Sequence, residues 1–120
     1  MKNVKDEIYK KLLEVTENVS DQYPKDWSNF PVIQYVEEDN SVYERTDNKE
    51  QKSKVRYRID IWHNKSTSDI ALAVDGAVSE LGLVRTLCAD VPDPSGLKHK
   101  QMRYEGIISM DDDYVYWETY

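Results

Sequence analysis

Surface chemistry needs groups that can move a proton, attack a carbon or phosphorus centre, or hold a metal, and this sequence has few. Its two histidines are His63 and His99, and its one cysteine is Cys88. His63 follows Asp60 by three residues. On a strand, that spacing sends the two side chains to opposite faces, a poor arrangement for a base and its orienting carboxylate. His99 stands between Lys98 and Lys100 and reads as an exposed strand residue. Cys88 shares a strand face with Asp90, but a thiol nucleophile needs an imidazole beside it. Spacing places neither histidine there, so Cys88 reads as a small apolar core residue. Asp111, Asp112 and Asp113 are consecutive, whereas a calcium loop alternates its ligands around a glycine turn. They read as a solvated hairpin turn. There is no CxxC, HExxH, GxGxxG, P-loop or nucleophile elbow. The expectation is a protein that is not an enzyme, with no catalytic residue, no metal and no cofactor.

The residues that stand out belong to a surface. The stretch VRYRIDIW, residues 55–62, alternates with period two. Val55, Tyr57, Ile59 and Ile61 form one row, which must face a core. Arg56, Arg58, Asp60 and Trp62 form the other. Exposed ion pairs on such a row contribute only about 0–1 kcal/mol each, but they can set register against a partner. Trp and Arg are also enriched at interface hot spots. The last strand, YVYWETY, carries Tyr114 and Tyr116 on one face and Val115 and Trp117 on the other. A strand apolar on both faces is buried twice or meets a partner. Arg56, Arg58, Asp60, Trp62, Tyr114, Tyr116 and Trp117 are therefore candidate subunit-contact residues. The blander alternatives are a wet sheet face, and packing of the last strand under the aromatic loop of Trp27 and Phe30.

These rows need elements to hold them. Residues 3–20 carry an apolar stripe at helical spacing (Val4, Ile8, Leu12, Val15, Val19), with Asn3 as cap and Asp6–Lys10 and Glu7–Lys11 as i,i+4 pairs. Pro24 and Pro31 break helix on both sides, and Tyr23, Trp27 and Phe30 make an aromatic loop expected to lid the core. Val32 to Glu37 is a short strand. Residues 38–53 are polar and read as a long hairpin arm with a solvated, mobile tip at 46–51. Glu44, Asp47, Lys49 and Glu50 are its candidate partner contacts. After the 55–62 strand, Ser66 and Asp69 resemble a capping box. They open a helix with Ile70, Ala73, Val74, Ala77, Val78 and Leu81 on one face, ended by Gly82 in the left-handed region. Strands follow at 83–89, 97–110 and 114–118. The order α-β-β-α-β-β-β predicts an α+β domain spanning 1–120. It is a two-layer sandwich with a mostly antiparallel sheet of about five strands and two helices on one face.

Composition bounds the partners. The net charge of −7 repels phosphate backbones unless a basic patch is segregated, so specific nucleic-acid binding is not expected. No apolar run approaches the ~20 residues of a membrane span, and the charged N-terminus does not read as a signal peptide. A single cysteine allows no intrachain disulfide, which suits a reducing compartment.

The whole layout resembles the tail-terminator (tail-completion, head–tail joining) proteins of long-tailed phages and prophages, especially those of Gram-positive bacteria. The segments that carry the resemblance are YPKDWSNFPVIQYVEEDN, YRIDIW, VDGAVSELGLVR and LKHKQMRYEGII. The resemblance implies a non-enzymatic virion protein, assembled in the bacterial cytoplasm into a homo-oligomeric ring, typically a hexamer. Such a ring caps the tail tube and offers a docking surface to head connector proteins. The competing expectation is a small acidic binding module, of the immunity or inhibitor type, acting one to one on a basic partner. A hydrolase using His63 or His99 is the remaining alternative.

Overall fold

The computed structural model describes residues 4–47, 49–109 and 115–116, with the backbone alone described for Glu50, Gln51, Val115 and Tyr116. It is an α+β fold with a mixed sheet and two helices: α1 (Lys5–Leu13), β1 (Val19–Ser20), β2 (Val32–Thr46), β3 (Lys49–His63), α2 (Ser68–Ser79), β4 (Val84–Val91), β5 (Lys98–Ser109) and β6 (Val115–Tyr116). The sheet runs β1-β2-β3-β5-β4, with β6 also paired to β5. Among the described residues, the β1–β2 pair alone is parallel. β5 lies between β3 and β4 and is antiparallel to both. The β3–α2–β4 connection therefore skips a position that β5 later fills.

The core follows from the alternation of β3. Val55, Tyr57, Ile59 and Ile61 are fully buried. α1 adds Ile8 and Leu12, α2 adds Val74 and Val78, and β5 adds Met102 and Tyr104 to the same cluster. Tyr57 and Tyr104, the two fully buried tyrosines among the described residues, satisfy their hydroxyls at the cluster's rim. Tyr57 donates to Glu37 at 2.9 Å and Tyr104 donates to Asp75 at 2.7 Å. Burial, followed by the adjacent carboxylate, pushes both phenols well above their ordinary range.

The first helix is shorter than its apolar stripe predicts. It ends at Leu13, and Val19–Ser20 pair with Ile33–Gln34 instead of continuing the helix. Side-chain competition for backbone groups explains the stop. The Thr16 hydroxyl donates to Pro31 O at 3.1 Å and accepts Asn18 N–H at 3.3 Å. The Asn18 amide donates to Asp26 O and Asn29 O, both at 2.9 Å. Asn18 O in turn accepts Ile33 N–H at 2.9 Å, which starts the parallel edge. Asn3, the expected cap, lies outside the described residues, and Val4 occupies the N-cap position. Lys11 reaches Glu80 at the end of α2 at 2.6 Å, so the expected intrahelical partner is replaced by one that ties the two helices.

Two other boundaries differ from expectation. Thr67, not Ser66, is the N-cap of α2, and the Ser66 hydroxyl accepts Ser68 N–H at 3.2 Å rather than closing a capping box. The 38–53 arm is a ladder with register shifts at Glu37/Asp39, Val42/Glu44 and Glu44/Arg45 that still pairs as far as Thr46↔Lys49, so the expected open tip at 46–51 contracts to the reversal itself. Asp47 there takes φ 53°, a left-handed conformation that aspartate tolerates. Gly82, with φ 88°, follows α2 as expected.

Ile59 sits mid-strand at the centre of this core. Ile59→Ala should lower the unfolding free energy by about 2–5 kcal/mol. The check is a lower urea midpoint with an unchanged denaturant slope.

Candidate functional site

The second face of the sheet is built by the alternate row of β3 and its neighbours. Arg56 pairs laterally with Asp39 and Glu105, Arg58 with Val36 and Arg103, Asp60 with Gln34 and Gln101, and Trp62 with Val32 and His99. A β-bulge between Glu37 and Asp39 leaves Glu38 without a partner in the ladder. The extra residue turns its side chain onto the arginine row. Arg103 grips it with Nε at 2.8 Å from Oε1 and Nη2 at 3.4 Å from Oε2. Arg56 Nε lies at 3.4 Å and Arg58 Nη1 at 3.6 Å. The hydrogen bond from Arg103 holds the Glu38 carboxyl below its ordinary value, against the opposing effect of burial.

Arg58 links this cluster to a second one. Its Nε donates to Asp60 Oδ2 at 2.8 Å. Asp60 Oδ1 lies 2.9 Å from His99 Nε2 and accepts from Gln101 Nε2 at 3.1 Å. The Asp60 side chain is only 4% exposed, so three strand-borne partners replace its lost hydration. His99 is not the exposed strand residue its lysine neighbours suggest. Its ring is 11% exposed and stacks on Trp62, centroids 4.4 Å apart. Nδ1 lies 3.8 Å from Asp93 Oδ1. Both imidazole nitrogens thus face carboxylates, which fits a fixed side chain better than a base poised for a nucleophile.

Trp62 is buried by its own chain. Trp27 and Tyr23 meet it edge-on at 5.4 and 6.2 Å, and its Nε1 donates to Asp93 at 3.3 Å. Phe30 stacks on His63 at 6.1 Å. Tyr23 and Trp27 therefore cover the sheet on the Trp62 row, away from the Ile61 row that packs on the helices. Cys88 is exposed rather than core, because β4 forms the edge of the sheet. No metal-binding group of three or more His, Cys, Asp or Glu occurs among the described residues. Asp111, Asp112 and Asp113 lie outside them.

The candidate contact residues are thus unequal. Arg56 (43% exposed) and Arg58 remain open to a partner, whereas Asp60 and Trp62 are internal supports beneath them. Tyr114 and Trp117 lie outside the described residues, and Tyr116 is described only as the backbone partner of Ile107. On the arm, Glu44 pairs with Lys52 at 3.5 Å, Asp47 and Lys49 are exposed, and Glu50 pairs its backbone with Arg45. Spacing alone misses the rim of this face. Val36, Leu87, Ala89 and Val91 are half-buried and stand in register with Arg58, Arg103, Gln101 and His99. A surface of arginines edged by partly exposed apolar groups can dock protein and organise register, while its charges are already neutralised in pairs.

Removing Asp60 takes the shared carboxylate from Arg58 Nε, from the enclosed His99 ring and from the Gln101 amide. Asp60→Ala should therefore cost about 3 kcal/mol or more, against less than about 1 kcal/mol for Arg56→Ala at its wetter position. Paired urea titrations check the contrast. Glu38 generates a pH dependence. Its folded value lies below the unfolded 4.5, so its contribution is complete above about pH 4.5 and is lost as pH falls through the folded value. Glu38→Gln should flatten the rise of stability with pH in that acid window and leave the slope near neutrality unchanged. No protein-family model matches the chain, and no curated protein matches it significantly.

Proposed function

We propose that this chain is a structural subunit of a phage or prophage particle. It assembles as a homo-oligomeric ring that caps the tail tube or joins the tail to the head. The observation that carries the proposal is the second sheet face. Arg56 and Arg58 lie open beside half-buried Val36, Leu87, Ala89 and Val91, on the side away from the Ile61 row that packs on the helices. A two-layer packing with both helices on one side would leave this face free for a neighbour. A closed ring needs two different patches per subunit, and the β2–β3 arm supplies a second. The molecule measures 52 × 26 × 24 Å, and a long ladder of this kind can reach an adjacent subunit or the tube. The net charge of −7 suits a ring around a DNA conduit, since it disfavours gripping the duplex. The resemblance in the 23–40, 57–62, 74–85 and 97–108 segments points the same way.

The same charge also favours the second reading, an acidic module that binds one basic partner. Deleting the gene from an inducible prophage and imaging the lysate separates the two. Overlong or ragged tails beside unattached heads are expected for a terminator, and normal tails without heads for a joining protein. Intact infectious particles would sink the assembly proposal and favour the inhibitor. Arg56→Ala, which leaves the Asp60 site intact, should reduce particle assembly at least tenfold with little change in Tm. Truncation after Asp113 should also impair assembly. Normal assembly by both variants would remove these patches from consideration.

A further inference from the structure

A cavity of about 410 Å³ opens beside the aromatic loop, lined by Tyr23, Trp27, Phe30, Asp93, Ser95 and Leu97. Aromatic walls around a carboxylate are the chemistry that receives an organic cation, because ring faces are electron-rich and attract positive charge. Tyr23 is 68% exposed, a large aromatic that nothing in the fold requires to stand so open. Its ring lies 5.7 Å from that of Trp27 at an interplanar angle of 53°, so the two present differently angled walls. Asp93 is held in place from behind. Its Oδ1 accepts from Trp62 Nε1 at 3.3 Å, and its Oδ2 accepts from the Ser95 N–H at 3.1 Å and from the Ser95 hydroxyl. A carboxylate offers about four acceptor positions, so these bonds orient the group without exhausting it. The Ser95 hydroxyl is the main cause that keeps the Asp93 carboxyl below its ordinary range.

Asp93 and Leu97 also line a neighbouring cleft that carries Lys65, Lys98 and His99, with His99 Nδ1 3.8 Å from Asp93, so the positive groups lie behind the carboxylate rather than in the aromatic cavity. Another cleft shares Phe30 and is lined by Glu17 and Asp26 among polar groups. No lysine or arginine lines that cleft or the aromatic cavity. We propose that the Tyr23–Trp27–Asp93 cavity is a binding site for an arginine side chain presented by a partner protein. The guanidinium plane would lie against the Trp27 or Tyr23 ring and direct its N–H groups to Asp93. Arginine suits the site better than lysine because it stacks and donates in one plane. The site is built by residues other than Arg56 and Arg58, and the net charge of −7 makes a basic partner protein its occupant.

The test uses the full chain and two small probes, N-acetyl-arginine amide and its neutral isostere N-acetyl-citrulline amide. Indole N–H resonances are followed by NMR, with Trp27 assigned from Trp27→Phe. The arginine probe should shift the Trp27 and Trp62 signals saturably. The citrulline probe should bind at least tenfold more weakly, and added salt should weaken the arginine response. Asp93→Asn should reduce affinity several-fold. Tyr23→Ala, at an exposed position that leaves the core untouched, should do the same even if Trp27→Leu fails to fold. Equal responses to both probes would mean apolar stacking alone and would overturn the proposal. So would an absence of saturable shifts, or shifts that survive Tyr23→Ala and Asp93→Asn unchanged.

Discussion

Strand β3 is hydrogen-bonded along both edges, and that constraint organises everything around it. With β2 on one side and β5 on the other, its backbone has no freedom to twist a side chain from one face to the other. Each residue must accept the face that its position in the alternation dictates. Val55, Tyr57, Ile59 and Ile61 then compel a covering layer, which α1 and α2 provide through Ile8, Leu12, Val74 and Val78. A slip of one residue would put Arg58 and Asp60 into that layer, with a desolvation cost no nearby group could offset. Register is therefore strongly specified.

The opposite face meets a different demand. Asp60 is almost as dry as the core, yet it carries a carboxylate. It survives there because Arg58, Gln101 and His99 converge on it from two strands. Such a buried ionic group adds little net stability compared with a well-packed apolar residue. Its contribution is to penalise any other pairing of β3 with β5. Glu38 acts similarly between β2 and β5, through arginines on β3 and β5. The lattice ties three strands together with side chains, while leaving Arg56 and part of Arg58 at the surface.

The aromatic loop completes the arrangement at the other end of that row. Trp62 would be costly to leave bare, and Tyr23 and Trp27 relieve the cost by edge-on packing. That same packing holds the loop against β3, beside Asp93 of the β4–β5 connection. A cover for one tryptophan thereby becomes the wall of a cavity. The early end of α1 belongs to the same logic. Thr16 and Asn18 direct their side chains to the backbone of this loop and its exit, which fastens the aromatic segment to the sheet edge.

The alternation in residues 55–62, the apolar face of α2 and its glycine stop were legible in the chain itself, because each depends on spacing within one element. So was the pairing of Arg56, Arg58, Asp60 and Trp62 on a common face. Their partners were not. Glu38 reaches the arginines only through a bulge, and a bulge leaves no periodic trace. His99 looks solvated between two lysines, yet it is enclosed because β5, rather than β4, fills the place beside β3. The stripe of α1 continues to Val19, but side-chain bonds to distant carbonyls outcompete the helix after Leu13. Local sequence determined which side chains share an element and a face. Only the tertiary structure decided which faces meet, because strand order and bulge placement depend on contacts between residues tens of positions apart.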